Sequence, residues 1–188
     1  LIKEYGFTLG IQLMIGLPGD SLESCIYSAR ETVKIAPEIA RLYPTIIIED
    51  TELLEMYRRG EYSPLTLDEA VAVTKEMYRI LDAAGINIIR VGLKSTDIIN
   101  EDGAITGGTY HPAFRQLVES SIAREEIEKQ LTATSGNISV MCNPSDISNA
   151  AGHNGCNRKY FAGKYPGLHI SFKKEESLDR NKYIVIQC

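Results

Sequence analysis

Leu9-Gly10-Ile11-Gln12-Leu13-Met14-Ile15-Gly16-Leu17-Pro18-Gly19-Asp20-Ser21 is the stretch whose reading decides the fold. Its first half, from Gly10 to Ile15, is apolar at nearly every position, the pattern of a strand covered on both faces. Gly16, Pro18 and Gly19 break the run. Asp20 then stands where a helix N-cap is due, with Glu23 three residues on. Strand, glycine turn and capped helix make one βα step of a parallel α/β architecture. Ligands of such folds sit at the carboxyl ends of the strands, so residues 16–20 fall on the functional rim. Gln12 is the polar exception inside the strand. It reads either as a core glutamine satisfied by neighbouring backbone or as a ligand contact facing a barrel interior.

Outward from this step the pattern repeats. Residues 1–8 read as the end of a helix with Gly6 as its C-cap. Residues 21–36 form an amphipathic helix with Leu22, Ile26, Ala29, Val33 and Ala36 on one face, closed by Pro37. Residues 39–49 give a second buried strand in which Pro44 demands a bulge or an edge. A short helix spans 51–60. Thr66 and Glu69 then form a capping box for a helix over 67–84, whose stripe is Val73, Met77, Ile80, Leu81 and Ala84. A third strand covers 86–93. Residues 94–110, rich in Gly, Asp, Asn and Thr, read as a long loop. Pro112 opens a helix with Phe114, Leu117, Val118 and Ile122 on its core face.

The polar stretch 132–137 reads as a linker between two domains, 1–131 and 132–188. The second contains a strand (138–142), a short helix (145–151), a Gly-His-Asn-Gly turn, a helix (156–165) and two strands (168–173 and 183–186). The fold class is therefore α/β, with a small α+β module at its end; the family resemblance given below implies that the first part is a partial parallel (β/α) barrel remnant. No internal repeat or low-complexity segment interrupts it.

Composition narrows the function classes. With 188 residues and 44% hydrophobic content the chain can bury a sizeable core. No apolar run approaches the ~18 residues of a membrane span, and no signal peptide is visible, although the first residue is not Met. Cys25, Cys142, Cys156 and Cys188 are widely spaced, with no CxxC pair, as for reduced thiols in a cytoplasmic protein. Cys25 reads as core packing. Between Gly152 and Lys182 seven basic residues face three acids, a balance of +4, so the remainder of a chain of formal charge −5 carries −9. A basic tail on an acidic body is the asymmetry expected when one end meets a polyanion.

Two blocks carry a family resemblance. GIQLMIGLPGDS, followed by YPTIIIEDTELLEMYRRGEYSPLTLDEAV, resembles the second half of the radical S-adenosylmethionine barrel. Within that superfamily it most resembles the elongator catalytic-subunit family, whose members act on tRNA wobble uridines. Tyr43-Pro44-Thr45, Thr51, Leu53, Glu55, Arg59-Gly60 and Tyr62 stand at that family's spacing. The oxygen-independent coproporphyrinogen oxidases share a looser form of the pattern, and a fragment of such an enzyme is the alternative. The resemblance implies that Gln12 lies against a cofactor ribose and that Met14 and Pro44 line an adenine site. Core packing for Met14 and a structural bulge for Pro44 are the bland readings.

The superfamily holds a [4Fe-4S] cluster on a CxxxCxxC motif, three thiolates leaving one iron open to the methionyl group. No such triplet occurs here. The resemblance thus implies S-adenosylmethionine and an iron–sulfur cluster in a parent protein, whose N-terminal half of the barrel is absent. This chain by itself is expected to bind neither and to be catalytically inactive. Cys142, His153 and Cys156 lack a fourth ligand at a typical spacing, so no metal site is expected.

The second block, Asp146 to Asn157, resembles the heart of a KH domain, with Gly152-His153-Asn154-Gly155 as its GXXG loop. Glycines at both ends of the turn let a phosphodiester backbone approach, and Arg158 and Lys159 follow to meet phosphates. The implied partner is tRNA or other single-stranded RNA. An ordinary glycine corner between two helices is the bland reading, and a non-enzymatic RNA-binding protein on a barrel scaffold is the further alternative.

Overall fold

The computed structural model describes residues 1–94 and 105–187, in two compact units, Leu1–Arg115 and Gln116–Cys188.

The first unit opens with turns over residues 2–6 rather than a helix. Strand β1 (Gly10–Ile15) leads into helix α1 (Leu22–Ile35). The N-cap of α1 is Ser21, not Asp20, and the capping box is completed by Ser24. The shorter serine reaches the Ser24 amide at 3.1 Å, which frees Asp20 to accept from the Leu17 amide at 3.0 Å and the Ser24 hydroxyl at 3.0 Å. Asp20 therefore closes the rim turn instead of starting the helix. Buried positions on α1 are Cys25, Ala29 and Thr32, a stripe rotated from the expected one, and Leu22 is half exposed.

The expected strand over 39–49 is two strands. Pro44 ends β2 (Ile39–Pro44), and β3 (Ile46–Ile48) joins a different sheet. A proline cannot donate to a ladder, so the pairing changes at this point. Helix α2 (Glu52–Arg58) is capped by Thr51, and α3 (Leu67–Ala83) by Thr66 with Glu69, the capping box that the sequence signals. Strand β4 (Asn87–Val91) completes a parallel sheet of order β1-β2-β4. Most of the expected loop, residues 95–104, lies outside the described residues. Its end is strand β5 (Ile105–Gly108), antiparallel to β3.

Helices α1 and α3 pack together and against the parallel sheet. On β1 the residues alternate between them and the other side, so Ile15 is buried while Gly10, Gln12 and Met14 are exposed. The expectation of a strand covered on both faces does not hold for these residues. Among the described residues β1 is an edge strand, and one face of the sheet is open.

The two compact units divide near the start of helix α4 (Phe114–Lys129). Its Ala123 and Ile127 are fully buried among Ile138, Val140 and Phe161, so most of the helix is core of the second unit. That unit continues through β6 (Ser135–Cys142), α5 (Ile147–Ala151), α6 (Cys156–Lys164), β7 (Gly167–Lys174) and β8 (Tyr183–Gln187). The sheet order is β7-β6-β8, with β6 parallel to β7 and antiparallel to β8. Asp146, fully buried, fastens the β7–β8 connection by accepting from Arg180 Nε at 2.7 Å and the Asn181 amide at 2.8 Å.

Candidate functional site

The first unit offers the open face of its parallel sheet. Gln12 pairs in register with Arg41, and Met14 with Tyr43. Among the described residues Gln12 makes one long contact, its amide nitrogen 3.9 Å from Met14 Sδ, so no protein group there holds the amide back from a ligand. A cavity of about 150 Å³ is lined by Gln12, Arg41 and their neighbours at the start of the strands. Pro44 does not join this group. It pairs with Ile15 and is buried with it on the opposite side.

The rim turn after β1 is held from below. The Tyr62 hydroxyl donates to the Gly16 carbonyl at 2.7 Å, and burial pushes that phenol up from its ordinary pKa. Tyr62 packs with Ile47 and Leu54, and Leu53 lies against the same cluster. Arg59 binds both Glu52, at 3.0 Å, and Glu61, at 2.8 Å. Motif positions 53, 59 and 62 thus support the segment between β3 and α3. A cavity of about 490 Å³ beside α2 is walled by Glu49, Asp50, Glu52, Glu55 and Arg58.

The second unit brings together the Gly152 to Gly155 turn. Gly152 has φ 84° and ψ 153°, a conformation only glycine adopts comfortably. A Cβ at this position would lie 2.5 Å from the Asn157 amide nitrogen and 2.5 Å from Cys156 Sγ. Asn154 and Gly155 are both left-handed, at φ 49° and 70°. Helix α6 then begins with no side-chain cap.

The turn rests on a buried polar hub that sequence reading missed. Asn157, 1% exposed, donates to the carbonyls of Ser120 at 2.9 Å, Asn149 at 3.1 Å and Ala150 at 3.2 Å. Asn149 in turn donates to Glu119 at 2.9 Å. Asn157 stands in the first turn of the expected helix, and nothing local in the sequence marks it as buried.

The GXXG reading requires His153 and Asn154 at the surface. Asn154 is, but His153 is half-buried, with Nδ1 3.0 Å from Gln116 Oε1. The amide oxygen can only accept, so Nδ1 carries the proton and Nε2 accepts from Asn154 Nδ2 at 3.1 Å. Arg158 and Lys159 are exposed, and the Arg158 guanidinium lies 4.8 Å above the Phe172 ring. Of the other basic residues, Lys164 is paired with Glu128 and Arg180 with Asp146, whereas Lys173, Lys174 and Lys182 are exposed. Cys142 is fully buried and Cys156 exposed, while Cys188 lies outside the described residues. Among the described residues no three metal-ligating side chains converge, so these residues do not fit the iron–sulfur cluster that the resemblance implies for a parent protein. No helix among them is long and apolar enough to cross a membrane.

Residues 37–124 match the Radical_SAM C-terminal domain. The chain is 36% identical over 76 residues to a tRNA uridine(34) acetyltransferase of Methanocaldococcus jannaschii, covering 39% of this chain and 14% of that protein. It is 37% identical over 76 residues to the Methanocaldococcus infernus protein of the same name, again over 39% of this chain and 14% of that one. A solved structure of Methanocaldococcus infernus Elp3 with an N-terminal deletion superposes with a TM-score of 0.54 at 27% identity, over 66% of this chain and 29% of that one. The matched stretch therefore spans a small part of these longer relatives.

Proposed function

We propose, from the Radical_SAM C-terminal domain that the chain carries and its distant, partial homology to Elp3-like tRNA uridine(34) acetyltransferases, that it serves a radical S-adenosylmethionine tRNA-modifying protein acting on wobble uridine. The observation that carries this reading is the coincidence of the family match over 37–124 with a parallel sheet whose open face presents Gln12 and Met14. In this reading Gln12 offers its amide to the cofactor ribose and Met14 lies along the adenine. S-adenosylmethionine supplies the radical chemistry when a reduced cluster is present, and the ligands of that cluster are not among these 188 residues. The chain alone is therefore inactive in S-adenosylmethionine cleavage.

The second unit is the RNA-binding part, used in the manner of a KH domain. Support comes from glycines at both ends of the turn, an α6 N-terminus without a side-chain cap, and exposed Arg158 and Lys159 beside it. Asn154 at the tip faces the nucleotide backbone. His153 is the support behind it, held by Gln116. Few phosphates are within reach of so small a surface, so binding is weak and falls with salt.

The test is fluorescence anisotropy of the whole chain with a labelled tRNA anticodon stem-loop at two salt concentrations. Asn154→Asp and the double change Arg158→Gln, Lys159→Gln should each weaken binding at least several-fold while the thermal melt stays unchanged. Binding indifferent to all three substitutions would leave the turn as a structural corner and overturn the RNA reading.

A further inference from the structure

One irregularity of the parallel sheet re-aims a side chain. Along β2 and β4 the pairs are Ala40 with Ile88, then Arg41 with Arg90, then Leu42 with Val91. Ile89 is the extra residue, a bulge in β4. Ala40, Ile88, Leu42 and Val91 are all buried on the helix-covered side, whereas Arg41, Ile89 and Arg90 are exposed. In a regular ladder Arg41 would pair with Ile89, and Arg90 would pair with Leu42 on the buried side. The bulge instead sets the two arginines side by side on the open face. Bulges next to functional sites commonly have this effect.

The result is a row of three polar heads across the sheet, Gln12, Arg41 and Arg90, on strands that lie ~4.8 Å apart. Like charges in directly paired positions destabilise a sheet. Neither arginine has an ion-pair or hydrogen-bond partner among the described residues that would offset this. Two guanidinium forks and a neutral amide match one ligand charge state best. A carboxylate or a phosphodiester carries a single negative charge, but a terminal phosphate carries close to two at neutral pH and has three acceptor oxygens.

We infer that Gln12, Arg41 and Arg90 form a binding site for the terminal phosphate of a small-molecule ligand. The site shares the sheet face assigned above to the cofactor but does not depend on that assignment, since S-adenosylmethionine carries no phosphate. It is also separate from the RNA-binding turn, which belongs to the other unit.

The experiment is a titration of the whole 188-residue chain with phenyl phosphate, followed by amide chemical shifts, with dimethyl phosphate and acetate as singly charged comparators. Phenyl phosphate should bind saturably, shift the amides of β2 and β4, and bind more weakly at about pH 5.5 than at about pH 7.5, as the ligand takes up its second proton. Arg41→Gln and Arg90→Gln should each raise Kd about tenfold, the loss expected for one charge-assisted contact. Arg90→Lys, which keeps the charge but not the fork, should fall between, and Arg58→Gln should change nothing. No saturable binding by the wild-type chain would overturn the proposal. So would an unchanged Kd in the folded Arg41→Gln, Arg90→Gln double variant, or dimethyl phosphate or acetate binding as tightly as phenyl phosphate.

Discussion

Gly152→Ala tests the architecture of the turn directly. At φ 84° and ψ 153° the backbone lies in a region that side-chain-bearing residues avoid. Forcing alanine there costs about 1–3 kcal/mol in strain. The new methyl would also sit 2.5 Å from the Asn157 amide nitrogen and 3.0 Å from Asn157 Cγ. Backbone does not yield as a flexible side-chain tip does, so α6 or α5 must shift. Overpacking of this kind costs about 1–3 kcal/mol more. The shift also pulls Asn157 from the three carbonyls it serves. The expected loss is therefore about 2–6 kcal/mol, a large fraction of a typical domain's stability. Gly155→Ala is the internal control. Its φ is 70° but a Cβ there meets nothing within 4 Å, so only the left-handed penalty of about 1–2 kcal/mol applies. Gly155→Asn should cost less still, because asparagine tolerates that conformation. The measurement is hydrogen exchange of the β6 amides, which reports on the second unit alone. Equal losses of protection in Gly152→Ala and Gly155→Ala would refute the reasoning.

The remaining predictions concern other parts of the chain. Tyr62→Phe removes the buried hydrogen bond to the Gly16 carbonyl and should cost about 1 kcal/mol, seen as faster exchange of the amides in residues 16–20 with the β6 amides unaffected. Burial works to raise the Glu128 carboxyl, but hydrogen bonds from Lys164, Tyr165 and Tyr160 outweigh it and hold the group below the ordinary carboxylate range. A lowered folded value means that its stabilisation is complete above that range and is lost as the pH falls through the folded value. Glu128→Gln should therefore narrow the gap between Tm at about pH 7 and at about pH 3, and an unchanged gap would count against the pairing. Cys156 should react with a maleimide in the native chain, while Cys25 and Cys142 react only on unfolding. Burial shields both, and it pushes the Cys142 thiol up to about 11.

What the sequence determined by itself is what depends on neighbours along the chain. The Thr66 cap with Glu69, the break at Pro37, and the succession of elements from β6 to β8 stand where the residues put them. A cap bonds to an amide three residues on, and a helix stripe repeats every turn, so both signals lie within a few residues. The alternation of Gln12 and Met14 against Ile11, Leu13 and Ile15 follows from the strand period alone. Tertiary structure decided whatever needs a partner far along the chain. The pairing of Arg41 with Arg90 exists only through a bulge in a strand about fifty residues away, and no local pattern announces a register shift between two strands. The division of residues 39–48 between two sheets was half visible, because Pro44 signalled the break but not that β5 would pair with β3. Asn157 falls in the first turn of the expected helix with no local sign of burial, and only the convergence of α4, α5 and α6 makes it a buried hub. His153 was legible as part of a glycine turn. That Gln116 holds it, through a contact across 37 residues of sequence, was written in the packing of α4 alone.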